Sequence, residues 1–445
     1  MLAGSSRIDI TPPKGVPLGG YLARTKGAED VHDPLYARAL VLDDGERRVA
    51  IVSADLSGLD REVVGVVRRR IEEETGIAGD HVMVACSHIH SGPVVTKRRI
   101  SEVPVSYHEA LLDKLVQVVG EAAAAMVPAR AGAGRAKVYL GVNRRVKSDD
   151  GHVVMGKNPK GYASPYSHVL AVAREDGGPM AVVFTYGAHP VVLGPENMLV
   201  SGDYPGQAER VVEEDFGDTA VALFGLGFAG DVDVNHEARN FAEVETFGTA
   251  LARAVIEKMK EIELEPGLKV DARSVVVPLP LEPPPSLAQA EATLYEERQR
   301  MSGMLGRGED ESEIHHRRAM VEWASDLVRL AAQDVTAPTA DLEVQVIRVG
   351  DSALLALSGE AFAEYGRNLD EISPFAFTFP ISNANGCTGY LPTAAAFDEG
   401  GYEVEEAPRL LGTMPFRPEV EEITRQAMED LLAEVAWTVA PAPEG

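Results

Sequence analysis

The segment Ser87-His88-Ile89-His90-Ser91-Gly92-Pro93 sets two imidazoles two residues apart ahead of a Gly-Pro turn. In an extended chain such side chains point to the same side, so one could ligate a metal while the other serves as acid or orienting group. The spacing equally suits two loop histidines that only make hydrogen bonds. His189, in Gly187-Ala188-His189-Pro190, follows an apolar run and fits a hydrogen-bonding role as well as ligation. Glu360 follows Ala353–Leu357 and Ser358-Gly359. A carboxylate there is costly to bury without a cation or donor, and otherwise starts a helix in solvent. Tyr390, in Thr388-Gly389-Tyr390-Leu391-Pro392-Thr393, reads most simply as a packed ring with a wet hydroxyl. Asp231-Val232-Asp233-Val234-Asn235-His236 would present Asp231, Asp233 and Asn235 on one face if extended. That run lacks the glycine and distal glutamate of a calcium loop. The Gly-rich stretch 225–230 before it lacks the Gly-Lys-Ser/Thr of a phosphate loop, and Gly-x-Ser-x-Gly is absent.

These residues follow apolar runs that read as strands. Residues 48–54 predict a buried strand ending at Asp55, 61–75 an amphipathic helix, and 82–86 a second strand ahead of His88. Strand–helix–strand order predicts a parallel pair and an α/β fold, whose active groups gather beyond the carboxyl ends of strands. Strands at 180–185, 219–224, 343–349, 353–357 and 375–380 lead in turn to His189, Asp231, Glu360 and Asn383. Residues 278–285 read as a stiff proline-rich connector, and 286–333 as two long polar helices around Gly303–Gly308. The expectation is one catalytic domain over 1–445 with a helical insertion at about 286–333. A last helix near 418–435 precedes a Pro/Ala/Gly tail expected to fray.

A net charge of −27 on 445 residues repels phosphate backbones and anionic lipid, so nucleic acid is excluded as a partner and a polybasic membrane dock is absent. Two cysteines, Cys86 and Cys387, supply neither a zinc–thiolate cluster nor a disulfide framework. No apolar signal core opens the chain and no run approaches the roughly 18 apolar residues of a membrane helix. The expectation is a cytoplasmic protein with no integral membrane association; a homo-oligomer is left open.

In order along the chain, several motifs resemble the catalytic domain of the neutral, non-lysosomal ceramidases. They are Arg7-Ile8-Asp9-Ile10-Thr11-Pro12-Pro13, Leu18-Gly19-Gly20-Tyr21, His32 to Ala39, Ser53-Ala54-Asp55, His88 to Pro93 (with Ile89 in place of Thr), Asn143-Arg144, His189-Pro190, Gly230-Asp231-Val232 and Asn383 to Thr393. The resemblance covers most of residues 1–270 and about 340–405. It implies paired twisted mixed β-sheets flanked by helices. It implies zinc (Zn2+) held by His88, His189, Glu360 and Tyr390, with His90, Arg144 and Tyr402 as further site residues. Two departures stand out. The serine of the family's Gly-Asp-x-Ser-Pro-Asn is replaced by Asp233, and the chain stops before the C-terminal immunoglobulin-like domain.

The resulting expectation is a zinc-dependent amidohydrolase that cleaves an N-acyl amide of a small molecule or lipid through a metal-activated water. Asp233 is its base, His90 its acid or orienting group, and Arg144 a holder of substrate charge. An esterase, lactonase or isomerase on a small polar substrate, and a non-catalytic ligand-binding homologue, are the alternatives.

Overall fold

A computed structural model describes residues 1–96, 104–149, 151–217 and 220–437. The predicted strand start at residue 219 and the frayed tail beyond Trp437 lie outside the described residues.

Two sheets face each other. The larger runs Val221–Leu226, Pro179–Tyr186, Tyr166–Arg174, Val127–Lys137, Leu2–Asp9, Tyr36–Asp43, Arg48–Ala54, Val82–Cys86, with Glu265–Pro266 beside Val127–Lys137. The smaller runs Val270–Pro280, Thr339–Val349, Ser352–Leu357, Phe377–Ile381. Both are mixed. Arg48–Ala54 pairs parallel to Val82–Cys86, as predicted, and so do Pro179–Tyr186 with Val221–Leu226 and Ser352–Leu357 with Phe377–Ile381. The layer between the sheets is apolar, joining Leu40, Ile51, Met83 and Leu223 of one to Ile347, Leu354 and Phe379 of the other. Face-to-face packing of this kind needs an apolar row on each inner face, which alternation along these strands supplies.

Helices cover the outer faces. Val64, Val67 and Ile71 of Arg61–Thr75 and Leu111 and Leu115 of Val105–Ala124 pack on the strands near Arg48–Ala54. Asp203–Asp215 and Phe241–Glu261 pack at the other end of the large sheet. Val420–Trp437 covers the small sheet. The paired mixed sheets flanked by helices match the architecture expected from the sequence.

Two local readings are corrected. The proline-rich stretch does not begin at 278 as a connector, because Val270–Pro280 is a strand paired through Pro280 with Thr339. It lies at the sheet edge, where a proline without N–H is tolerated. The helical pair is Leu287–Arg307 and Glu311–Ala332; the break falls at Gly308, in a left-handed conformation, and Gly303 stays inside the first helix. A Ser286/Gln289 capping box starts that first helix.

Candidate metal centre

Strand exits converge on one point, and two of them carry the imidazoles. His88 stands just past Val82–Cys86 and His189 just past Pro179–Tyr186. Glu360 opens a two-residue strand beyond Ser352–Leu357 that pairs in parallel with Tyr390. The carboxylate therefore sits 3% exposed in regular pairing, which removes the reading of a helix start in solvent. His88 and His90 also meet, but not by strand alternation. His88 has φ of 65°, and this left-handed turn brings its Nε2 to 3.4 Å from that of His90.

Backbone carbonyls fix the rings. His88 Nδ1 donates to the Ser57 carbonyl at 2.5 Å, and His189 Nδ1 donates to that of Ala229 at 2.7 Å. With the proton committed to Nδ1, each Nε2 turns a lone pair inward. Those two lone pairs face Glu360 Oε2 at 3.4 Å from His88 and 3.1 Å from His189. One nitrogen from each of His88, His90 and His189 lies within 4.8 Å of the others. Burial, then the Arg144 guanidinium, hold the His189 imidazole below its ordinary pKa, so it stays neutral. Burial raises the Glu360 carboxyl, and it falls well below the usual range only where positive charge stands beside it, as on protonated His88 and His189. Acceptors turned toward one another in a dry pocket repel unless a cation lies between them. The donor set of two imidazoles and a carboxylate suits a divalent ion such as zinc.

Tyr390 stacks near His189, with ring centroids 6.2 Å apart and planes 20° from parallel. Burial and then the Glu360 charge push its phenol well above the ordinary value, while Arg144 acts in the opposite sense. Tyr402 meets Tyr390 edge-on at 5.8 Å. Arg144 lies 5.5 Å from the Tyr390 centroid, buried, with Nη1 donating to Asp233 Oδ1 at 3.1 Å and Nε to Glu403 Oε1 at 2.8 Å. Asp233 is joined to His189 by a parallel β-bridge. His88, His90, His189, Glu360, Tyr390, Arg144, Asp233 and Tyr402 thus gather in one region. The expected face of Asp231, Asp233 and Asn235 does not form, because the extended stretch is only Val232–Val234. Asp231 turns inward to accept from Ala363 N and Asn143 Nδ2 at 2.7 Å each, and Asn235 is exposed. Asn383 and Asn385 serve the packing of the sheets. The Asn383 carbonyl accepts from Cys86 N and Asn385 Oδ1 from Val84 N, which ties the two sheets together.

The cleft over the centre is walled by Leu18, Leu22, Val94, Leu410 and Leu411, with Tyr21, His90, Tyr390 and Tyr402 at its polar end. Glycines admit the close approaches. A Cβ on Gly230 would stand 2.4 Å from the Glu360 carbonyl oxygen, and one on Gly20 would stand 2.3 Å from His90 Cγ. The Gly-rich stretch 225–230 thus serves backbone packing behind the ligands. Sequence reasoning missed Tyr21, which packs edge-on against His90 at 5.1 Å, and Glu403. The Leu-Gly-Gly-Tyr motif held a signal for Tyr21; for Glu403 the only hint was its place beside Tyr402.

The fold and site define a helix-flanked, double-sheet protein whose strand exits build a His/His/Glu centre suited to a divalent ion. The chain belongs to the neutral/alkaline non-lysosomal ceramidase family, whose N-terminal region matches residues 1–248. Neutral ceramidase A of Dictyostelium discoideum is 25% identical over 259 residues, 52% of this chain and 35% of that protein, so the match spans about a third of the relative's length. The crystal structure of neutral ceramidase from Pseudomonas aeruginosa superimposes with a TM-score of 0.73 at 20% identity, covering 100% of this chain and 76% of that one. A structure described as ceramidase complexed with C2 gives 0.75 at 18% identity, over 100% and 77%. At these identities the two structures establish a common fold. Among the described residues, no helix is long and apolar enough to cross a membrane.

Proposed function

We propose that the protein is a zinc-dependent amidohydrolase acting on N-acyl amides. The observation that carries this is the convergence of His88 Nε2, His189 Nε2 and Glu360 Oε2, lone pairs inward, under an apolar cleft. Membership of a ceramidase family supports an amide as the scissile bond. His88, His189, Glu360 and Tyr390 would hold the ion. When bound, zinc supplies Lewis acidity and brings the pKa of a water to about 7.

The chain's own groups do the rest. Asp233 takes the proton of the attacking water, since it stands beside His189 where the family carries a serine. A carboxylate at that position cannot form the serine ester, so hydrolysis proceeds by direct attack. Arg144, bonded to Asp233, holds that carboxylate in place and sets positive charge behind the two tyrosines. The guanidinium also hydrogen-bonds the Tyr390 phenol, which sets its charge beside the place where charge develops at the carbonyl oxygen. His90, held against Tyr21, is placed to protonate the leaving amine. The leucine and valine wall suits the acyl arm of a small-molecule or lipid amide.

The test is Asp233→Asn on purified, zinc-loaded protein with a panel of N-acyl amides. Loss of the base is expected to lower kcat by about 10²–10⁴ with zinc content unchanged. Full turnover in that variant would remove Asp233 from the mechanism.

A further inference from the structure

Arg144 and Arg145 are neighbours on the strand Gly141–Lys147, and strand alternation should send them to opposite faces. They instead share one acceptor. The pairing with Val153–Asn158 shifts register between Asn143 and Arg145, and Asn143 Oδ1 accepts from Arg145 N across this irregularity. Such bulges re-aim side chains. Here the result brings both guanidiniums to Glu403. Arg144 Nε donates to Oε1 at 2.8 Å, and Arg145 Nη1 donates to Oε2 at 2.7 Å. Arg145 is further tied to the Gly400 carbonyl at 2.8 Å and lies over Phe362. The Glu403 side chain is 1% exposed, and each of its oxygens holds one guanidinium.

The carboxylate's place in the chain matters as much as its partners. Glu403 lies in the one-turn helix Tyr402–Glu405, directly after Tyr402, which faces the cleft. Gly401, at φ of 100°, starts that helix, and a Cβ there would stand 3.2 Å from Arg145 Nη1. One buried carboxylate therefore joins the strand carrying Arg144 to the helix carrying Tyr402. Without it, Arg144 would keep a single charged partner, Asp233.

We propose that Glu403 is a positioning residue that clamps Arg144, through the Arg145–Glu403 bridge, so that Arg144 holds Asp233 and backs Tyr390 and Tyr402 in one fixed geometry. The proposal rests on the hydrolytic reading for its kinetic consequence, but not for the clamp itself. The contacts of the Glu403 carboxylate are to Arg144 and Arg145 and not to the ligand atoms of the centre, so its effect is on alignment.

The experiment compares Glu403→Gln with Glu399→Gln, whose carboxylate reaches only Arg145, at 3.5 Å, and is partly exposed. Glutamine keeps the shape but offers one acceptor and one donor where two acceptors stood. For Glu403→Gln, kcat on an N-acyl amide is expected to fall about 10–100-fold, with KM within about threefold and zinc stoichiometry by elemental analysis unchanged. Glu399→Gln is expected to match wild type. Independently of turnover, the Arg144 Nε–H resonance in 15N spectra of the zinc-loaded protein should be exchange-protected in wild type and lost in Glu403→Gln. If Glu403→Gln does not fold, Glu403→Asp replaces it, a charge kept but one methylene too short to bridge both guanidiniums. Unchanged kcat, or a fall that only follows the zinc-loaded fraction, overturns the positioning role. Retention of the protected resonance overturns the clamp. If wild type cleaves no amide, the hydrolytic reading fails while the spectra still decide the clamp.

Discussion

Arg38 and Glu360 stand at the centres of two buried polar clusters with opposite balances of donors and acceptors. Around Arg38, three carboxylates surround one guanidinium. Asp55 lies at 3.0 Å, Glu209 at 2.8 Å and Glu213 at 3.3 Å, and Arg7 reaches in from the surface to Glu213. Backbone N–H groups of Tyr36, Phe224 and Ala222 satisfy the same carboxylates. Burial, opposed by Arg38 and reinforced by Asp55 and Glu213, pushes the Glu209 carboxyl well above its usual range. Around Glu360 the fold spends the imidazole protons on carbonyls and turns the remaining lone pairs toward the carboxylate. The first cluster places protein donors against each of its three carboxylates. The second is a donor set that could hold a metal ion.

The sharpest way to break this contrast is Arg38→Met. It strands three carboxylates in the core, and breaking a buried ion network in this way costs about 3–5 kcal/mol. Urea unfolding should show that loss, while the folded fraction keeps its capacity for zinc. Equal stability would mean that the carboxylates satisfy one another through protons and backbone alone.

A smaller effect separates a buried imidazole inside the centre from one outside it. His168 is buried against Phe379, and among the described residues its Nδ1 has no hydrogen-bond partner. Burial, then Arg135, push it from 6.5 to about 4. A group whose folded pKa is depressed contributes stability that is present above its unfolded value and is lost as pH falls through the folded one. The window is thus pH 6.5 down to about 4. At pH 5 the wild type should have lost on the order of 2 kcal/mol relative to pH 8 through this residue. His168→Phe, which keeps an aromatic ring against Phe379, should lose that much less between the two pH values. An identical fall in both proteins would show that the ring is not held neutral.

Much of the fold was legible because its strands are short, apolar and flanked by turn residues. Arg48–Ala54, Arg61–Thr75 and Val82–Cys86 fall where the pattern put them. The strand Val270–Pro280 was hidden by its prolines, which an edge position tolerates. His88, His189 and Glu360 could be picked out as polar groups after strands, but nothing local marked Tyr390, whose parallel pairing with Glu360 is a tertiary event. The Arg38 cluster did leave a trace, an arginine inside the apolar run Tyr36–Leu42. Glu403 left almost none, since its two partners are more than 250 residues away and meet it only through an irregular strand.

The central claim is most directly tested by titrating chelator-stripped protein with zinc and reading bound metal and the melting temperature together, in wild type and Glu360→Gln. The account predicts stoichiometric zinc in wild type, with stabilisation of about 4 kcal/mol when free zinc reaches ~1,000 times Kd. In the metal-free state Glu360→Gln should be at least as stable as wild type, because an anion is removed from facing lone pairs, and it should gain little from zinc. Wild-type protein that binds no zinc, or a glutamine variant that binds it equally well, would contradict the account.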